Sequence, residues 1–164
     1  MADTISLTLT GTVQGTIQGD NTQSTLGREN TIEVLSLTQA LRGAFERATG
    51  RATGRRYYEP ITFVKRIDRS SPRLRQALTT NEVVSGTFKW FRPNPDGSGT
   101  TEQFFTITFS DGRVVGADAQ LRDTLDPATA NLPPLEEIKL VFNTISWEFT
   151  NGGIVHQDTW GGAV

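Results

Sequence analysis

Apolar and polar residues alternate along most of this 164-residue chain, with the period of two that is typical of half-buried β-strands. Residues 4–10 (TISLTLT) give the clearest example, and residues 61–67 (ITFVKRI) repeat the pattern. Residues 31–37 (TIEVLSL) are more apolar and predict a strand that is covered on both faces. The pattern therefore predicts a protein built mainly from β-strands.

Stretches rich in glycine, proline and aspartate separate the predicted strands. Residues 93–99 (PNPDGSG) lie between two aromatic-rich strands and predict a β-hairpin. Asp111-Gly112 predicts a second tight turn, and residues 122–135 predict a surface loop. The parity of the apolar residues changes near Asn143, which predicts a β-bulge there. Residues 47–54 repeat the tetrapeptide RATG and predict a long mobile loop.

Only one segment has the apolar spacing of a convincing α-helix. Ser70 or Ser71 can cap its start, and Pro72 suits its first turn. Three apolar residues at helical spacing form one stripe: Leu74, Ala77 and Leu78. The strands do not alternate with helices, so a parallel βαβ fold is not indicated. We therefore predict a mainly β fold, a compact β-barrel of two packed sheets with one short helix and about 8 to 10 strands.

Composition indicates a folded chain that fits one domain over residues 1–164. Hydrophobic residues make up 35% of the chain, which is too apolar for a disordered protein. The chain has no cysteine, so disulfides and thiolate chemistry are excluded. No signal peptide is recognisable, and no run of about 18 apolar residues could insert into a membrane. We expect that export would require a dedicated machine.

Charge is distributed unevenly along the sequence. Residues 42–75 hold ten of the sixteen lysine and arginine residues against three acids, whereas the rest of the chain is acidic. A molecule with complementary halves can attract copies of itself. Two other interpretations are open: a solvated basic loop without a partner, or attraction of nucleic acid by the same arginines.

Few residues are suited to catalysis or to metal binding. The only histidine is His156, so histidine-rich zinc sites are excluded, and no G-x-S-x-G elbow presents a serine to it. Phosphate-loop and dinucleotide-binding fingerprints are also missing. Four carboxylates could in principle hydrolyse a glycoside: Glu102, Asp118, Glu136 and Glu137. Such residues are usually solvated, and we predict no catalytic residue, no cofactor and no metal.

Three aromatic residues lie beside arginines or lysine and raise a second alternative. Tyr57, Tyr58 and Trp90 could stack on single-stranded nucleic acid if the chain formed an OB-like barrel. Aromatic packing inside the barrel explains the same residues, and we favour it. A ligand-binding barrel module, with aromatic residues at one open end, is the main competitor from another class.

Residues 54–84 carry a specific family pattern, GRRYYEPITFVKRIDRSSPRLRQALTTNEVV. This segment closely resembles the signature region of the haemolysin co-regulated protein (Hcp) family. Matching segments extend over nearly the whole chain, including GREN-TIEVLSL at residues 27–37 and ISWEF-TNGG-IVHQDTW at residues 145–160. The chain departs from the family at Gln39 and Tyr58, where relatives often have histidine, so neither histidine is expected to be essential to the fold.

The resemblance implies a structural protein of the type VI secretion system. Members of the family form hexameric rings that stack into the inner tube, which a contractile sheath fires from the bacterial cytoplasm. The implied partners are further copies of this chain, effector proteins carried in the lumen, the spike protein and the sheath, without nucleic acid. The tail-tube subunit of a related phage-like device is the alternative within the same class.

The uneven charge predicts where stacked rings would touch. We predict that five arginines project from one ring face: Arg42, Arg47, Arg51, Arg55 and Arg56. Four acids of the next ring are their candidate partners: Asp20, Glu29, Asp123 and Asp126. Gly116 and Ala117 occupy positions where relatives often have small polar residues, and they are the candidates for facing the lumen.

Overall fold

The computed structural model describes residues 2–160, in which twelve strands accompany one helix. The elements in chain order are β1 Thr4–Gly11, β2 Gly15–Ile17, β3 Ile32–Val34, β4 Ser36–Thr38, β5 Leu41–Phe45, β6 Ala52–Tyr58, β7 Ile61–Arg66, α1 Ser70–Thr79, β8 Val84–Pro93, β9 Thr101–Gln120, β10 Leu135–Val141, β11 Thr144–Phe149 and β12 Ile154–Thr159. The predicted mainly β fold is confirmed. The number of strands exceeds the expected 8 to 10 because three of them have only three residues.

Two antiparallel sheets pack against each other, and one long strand belongs to both. Sheet A contains β2, β1, β8, the first half of β9, β11 and β12, with β3 beside β1. Sheet B contains the second half of β9, β10, β7 and β4. The buried aromatic and aliphatic side chains fill the space between the sheets, as alternation predicts. The expectation of two packed sheets with one short helix is therefore confirmed.

The predicted tight turn at Asp111-Gly112 is wrong, because β9 runs through it without reversing. Asp111 has a φ of 51°, and this left-handed residue bends the strand from sheet A into sheet B. A side chain at Gly112 would lie 2.9 Å from the carbonyl oxygen of Val84, so only glycine fits the corner. The β-bulge predicted near Asn143 is wrong: pairing with β9 keeps one register from Val141 opposite Arg113 to Thr144 opposite Ser110, and the chain instead has a break there between β10 and β11.

Residues 32–38 join the two sheets on the opposite side. The single strand predicted at residues 31–37, covered on both faces, is wrong: the segment forms two short strands, β3 paired with β1 and β4 paired with β7, and Leu35 between them is 43% exposed. Between them, the amide of Leu35 donates to the carbonyl oxygen of Val64 at 2.8 Å. The predicted β-barrel is not closed by hydrogen bonds, because the order of paired strands runs from β2 to β4 without forming a cycle. At this corner the two sheets are joined by the chain itself, at residues 32–38.

Helix α1 packs Leu74 and Ala77 into the core, as their spacing predicts. The predicted serine cap is wrong: the carboxylate of Asp68 accepts from the backbone amide of Ser70 at 2.8 Å, while Ser71 points into the core. Within residues 2–160, no helix is long and apolar enough to cross a membrane.

The long mobile loop predicted at residues 47–54 is only partly found, since residues 47–51 form the turn of a β-hairpin and residues 52–54 begin its second strand. Strands β5 and β6 pair from Leu41 opposite Tyr58 to Phe45 opposite Ala52. Gly50 has a φ of 67° and closes the turn in the left-handed region. Among the strands of residues 2–160, β5 and β6 pair only with each other. The RATG repeat therefore builds a separate two-stranded ribbon beside the sheets.

Candidate functional site

The basic hairpin, residues 41–58, presents the predicted stacking arginines on an exposed ribbon. The side chains of Arg47, Arg51 and Arg55 are exposed, and none of them forms an ion pair with another residue in the range 2–160. Phe45 lies among them with 62% of its surface exposed. Three unpaired cations beside an exposed aromatic ring make this ribbon a candidate contact surface.

Two of the five predicted arginines are instead used inside the subunit. Arg42 pairs with Glu59 at 3.0 Å in an exposed cross-strand contact. Arg56 makes a bidentate contact with Asp158 of β12, with its two nitrogens 2.6 and 2.7 Å from the two carboxylate oxygens. Sequence reasoning missed this second pair, because Asp158 lies 102 residues away in the chain.

Tyr58 completes the attachment of the hairpin. Its hydroxyl donates to Asp158 at 2.6 Å, and its buried ring packs on Phe142 and Trp160 with centroids 5.3 and 5.2 Å apart. We refer to Arg56, Tyr58 and Asp158 as the clamp. The clamp fixes the base of the basic hairpin to β12, which gives an otherwise separate ribbon a defined direction.

The clamp shifts the titration of two of its members in opposite directions. Hydrogen bonds from Arg56 and then Tyr58 lower the pKa of Asp158 from 3.8 to about 2. Burial, followed by the hydrogen bond to Asp158, raises the pKa of Tyr58 from 10.0 to about 12. Asp158 thus stabilises the fold above pH 3.8, and the effect is lost toward pH 2. Tyr58 stabilises it below pH 10, and that effect is lost toward pH 12.

We expect Tyr58→Phe to remove this alkaline sensitivity, because the variant keeps the packed ring and loses the titrating hydroxyl. The free energy of unfolding, measured by urea titration between pH 9 and pH 12, should fall less steeply for the variant than for the natural chain. Tyr57→Phe, at an exposed neighbouring tyrosine, is the matched control and should follow the natural chain. Equal alkaline slopes for Tyr58→Phe and the natural chain would contradict the assignment.

The four predicted acids lie at the opposite end of sheet B. Strand β7 begins beside the basic hairpin at Ile61 and ends at Arg66, which pairs with Leu135 directly after the loop of residues 121–134. At about 3.4 Å per residue, this strand separates the two ends by about 17 Å. We call them the hairpin end and the loop end. The predicted arginines and the predicted acids therefore lie at opposite ends of sheet B.

The four acids are placed at the loop end either by contacts with the residues that follow β7 or by lying on the loop itself. Asp20 accepts from Arg69 at 2.9 Å, and its amide donates to Asp68. Glu29 is exposed and lies next to Asn30, whose side chain also accepts from Arg69. Two further acids lie on the exposed loop and hold its turns by accepting backbone amides at 2.8 and 2.9 Å: Asp123 and Asp126.

The two lumen candidates point to different sides of β9. Ala117 is half-buried and packs against the core of its own subunit. Gly116 lies opposite Lys139, whose side chain would touch a side chain placed there at 3.3 Å. The register shift between Lys139 and Leu140 places an extra residue, Val115, in this part of β9. Of the two positions, Gly116 is on the outward side.

A buried ion network underlies the family motif KRIDRSS, and sequence reasoning assigned no role to it. Lys65 is fully buried, and its ammonium group lies 2.5 Å from Glu136 and 2.9 Å from Asp68. Ser71 donates to Glu136 at 2.6 Å, and Arg75 pairs with the other oxygen of Glu136 at 2.7 Å. These residues tie α1 to β7 and β10. Lys65 and Asp68 of the motif, together with Glu136, are therefore structural.

Burial acts to raise the pKa of Glu136 and of Asp68. Hydrogen bonds outweigh it in both cases, chiefly from Lys65 to Glu136 and from Ser70 to Asp68, so both pKa values lie below the ordinary range. Both carboxylates are thus held in the charged form that the network requires.

Most residues of the alternative hypotheses have structural contacts. Tyr58 is buried, and Trp90 packs on Phe105, so two of the three aromatic candidates are not free to stack on bases. His156 stacks on Trp147 with the rings 6° from parallel.

The four candidate carboxylates do not share one environment. Asp118, Glu136 and Glu137 line one cleft of about 460 Å³, but Glu136 belongs to the ion network and Glu137 lies 3.8 Å from Lys139. Glu102 pairs with Arg92 at 2.8 Å. Of the four carboxylates that could in principle hydrolyse a glycoside, Asp118 alone has no ion-pair partner among residues 2–160.

Comparison with known proteins identifies the family. The sequence model described as "Type VI secretion system effector, Hcp" matches residues 7–149. The "Major exported protein" of Pseudomonas aeruginosa is 27% identical over 168 residues, which cover 98% of this chain and 96% of that protein.

Solved structures agree with the sequence comparison. A variant of the Hcp1 protein from the E. coli EAEC 042 pathovar has a TM-score of 0.83 at 29% identity and covers 98% of this chain and 100% of its own. A further crystal structure of an Hcp protein, at 22% identity, supports the fold alone with a TM-score of 0.88, covering 99% of this chain and 100% of its own. The chain belongs to the Hcp family of the type VI secretion system.

Proposed function

We propose that this chain is the structural subunit of the inner tube of a type VI secretion system, in which six copies close a ring and the rings stack. Family membership over residues 7–149 carries the proposal. The fold adds a physical reason, because the basic hairpin and the acids lie at opposite ends of sheet B. Residues 1–164 act together in this proposal as one tube domain.

Two different ends make the stacking contact heterologous. One surface of a subunit meets a different surface of the next, so the contact propagates into a filament instead of closing. Each exposed ion pair contributes only about 0.2–1 kcal/mol, and a ring would multiply the contact around its circumference. Stacking is therefore reversible and depends on salt, whereas ring closure uses other contacts.

Ring closure is proposed to use strand edges and apolar side chains. Strand β12 pairs with β11 only, among the strands of residues 2–160, and its outer edge is a template for another chain. Ile154 and Val155 are exposed on this strand. Such contacts are less sensitive to ionic screening than the stacking contacts are.

The remaining functional assignments follow from the tube role and are part of the same proposal. Effector proteins are carried inside the ring, and Gly116, on the side of β9 that points away from the subunit core, is the candidate for facing this lumen. The spike and the contractile sheath act on the assembled tube. The chain has no catalytic role, no cofactor or metal, and no nucleic acid or membrane partner. It is made in the bacterial cytoplasm and secreted through the type VI machine.

We expect the purified chain to form particles of six times the subunit mass of 18.0 kDa, because the outer edge of β12 has no strand partner within one copy, among residues 2–160. Light scattering coupled to size exclusion measures the mass, and electron microscopy of concentrated samples should show rings with an open centre and short stacks of them. A lone monomer or dimer at high concentration, in both measurements, would exclude the tube role. It would favour a ligand-binding module instead.

A further inference from the structure

We propose further, resting on the tube function above, that the basic hairpin of one subunit docks on residues 121–134 of a subunit in the next ring. We call residues 121–134 the acceptor loop. The contact is mixed: an aromatic side chain of the hairpin packs on leucines of the acceptor loop, and arginines pair with its aspartates. The occupant of this surface is thus a second copy of the same chain.

The hairpin has the composition of a binding surface. Beside Phe45, it exposes Leu41 and Tyr57 at 47% and 46% of their surfaces, interleaved with the unpaired arginines. Aromatic residues and arginine are enriched among the residues that dominate the energy of protein interfaces. The clamp fixes the orientation of this exposed ribbon, so the hairpin can contact a subunit of the next ring without first becoming ordered.

The acceptor loop has the complementary chemistry. Leu125 is 89% exposed, and Leu121 and Leu132 also reach solvent. Asp123 and Asp126 each use one carboxylate oxygen for a backbone amide, which leaves the second oxygen available to an arginine from outside. The loop therefore offers apolar contacts and acceptor oxygens side by side.

The other two acids at the loop end are poorer acceptors. Both carboxylate oxygens of Asp20 already accept from Arg69, at 2.9 Å from its side chain and 3.3 Å from its backbone amide. The same guanidinium lies 2.7 Å from Asn30, directly beside Glu29. A cation of the same subunit is thus paired at this corner. Arg122 of the acceptor loop, in contrast, forms no ion pair with Asp123 or Asp126 in the described residues, so the acceptor loop is the preferred partner.

A concave seat adjoins the acceptor loop. The cleft of about 460 Å³ has Arg122 and Leu135, at the two ends of the loop, in its wall, together with the carboxylates of Asp118 and Glu137. The hairpin and this seat lie at opposite ends of β7 in one subunit, so the contact forms between copies arranged head to tail.

The natural chain has no cysteine, which allows a direct test of the contact. Phe45→Cys and Leu125→Cys, combined in one chain, are assembled into tubes and treated with a short bis-maleimide. The expected result is a ladder of linked subunits on a denaturing gel. Phe45→Cys with Val13→Cys is the control, because Val13 is exposed to a similar 84%, and it should give no ladder.

Two further measurements keep the outcomes separate. If the double variant fails to assemble, equal amounts of the single variants Phe45→Cys and Leu125→Cys are mixed and treated with the same reagent. Linked dimers are expected in this mixture and not in either single variant treated alone. Leu125→Asp should lose tubes and keep rings, whereas Val13→Asp should keep both. Tubes that give no Leu125 link, or that survive Leu125→Asp, would overturn the docking proposal and leave the tube role intact. Absence of rings from the natural chain would overturn the tube role itself.

Discussion

Lys65→Met should lower the free energy of unfolding by about 3–5 kcal/mol, the usual effect of removing one partner from a buried ion pair. Lys65 is fully buried, and it donates to Glu136, Asp68 and the carbonyl oxygen of Arg66. Without its charge, Glu136 would keep only Ser71 and Arg75 as hydrogen-bond donors at a buried position. Urea titration at fixed subunit concentration measures the change.

Arg66→Met is the matched control for this experiment. Arg66 follows Lys65 on the same strand, but its side chain is half exposed and pairs with Glu33 at 2.7 Å on the surface. We expect a loss of no more than about 1 kcal/mol for this variant. Equal losses for the two variants would show that the network does not stabilise the fold.

The pH dependence provides a second readout of the same network. The pKa values of Glu136 and Asp68 are held below their ordinary values of 4.5 and 3.8. Their contribution is therefore complete above those values, and it decreases as the pH falls through the lowered pKa values. In Lys65→Met the lowering shrinks, so less stabilisation is available to lose, and the free energy of unfolding should fall less on acidification below pH 4.5 than it does in the natural chain.

The triple variant Arg47→Glu, Arg51→Glu and Arg55→Glu should abolish tubes and leave rings intact. None of the three arginines has an ion-pair partner among residues 2–160 of its own chain. The urea concentration at the midpoint of unfolding should therefore be the same for the variant and the natural chain. Facing acids then repel each other across the ring interface. Sedimentation and electron microscopy measure tubes, and size exclusion measures rings.

Two controls separate position from charge. Arg73→Glu reverses an exposed arginine of α1 and should keep the tubes. Adding Asp123→Arg and Asp126→Arg to the triple variant restores opposite charges and should recover stacking. The natural chain should also lose tube length as salt rises, because exposed pairs are screened. Stacking that is indifferent both to salt and to charge reversal would refute the ionic contact.

Local pattern was sufficient for much of the fold. The alternation in residues 4–10 and 61–67 fixes strands β1 and β7, since a period of two leaves one face of a strand apolar. The stripe of Leu74 and Ala77 likewise fixes the buried face of α1. Family motifs then identified the family, because they match segments spread over nearly the whole chain.

The local sequence pattern gave wrong predictions where the same residues are compatible with two backbone conformations. Asp111-Gly112 suits a tight turn and also suits a bent strand, and pairing of β9 with β8, β10 and β11 selects the bend. The RATG repeat suits a loop, yet cross-strand pairing with residues 41–45 makes part of it a strand. Glycine permits each outcome, and only long-range hydrogen bonds decide between them.

The order of residues alone establishes a mainly β member of the Hcp family whose positive charge is concentrated in residues 42–75. Three features depend on the folded chain: Arg56 is held by Asp158, Lys65 is buried, and the basic hairpin and the acids lie at opposite ends of one sheet. Alternation and turn chemistry act between neighbours in the chain, whereas charge pairing and burial depend on distances in space between residues far apart in sequence.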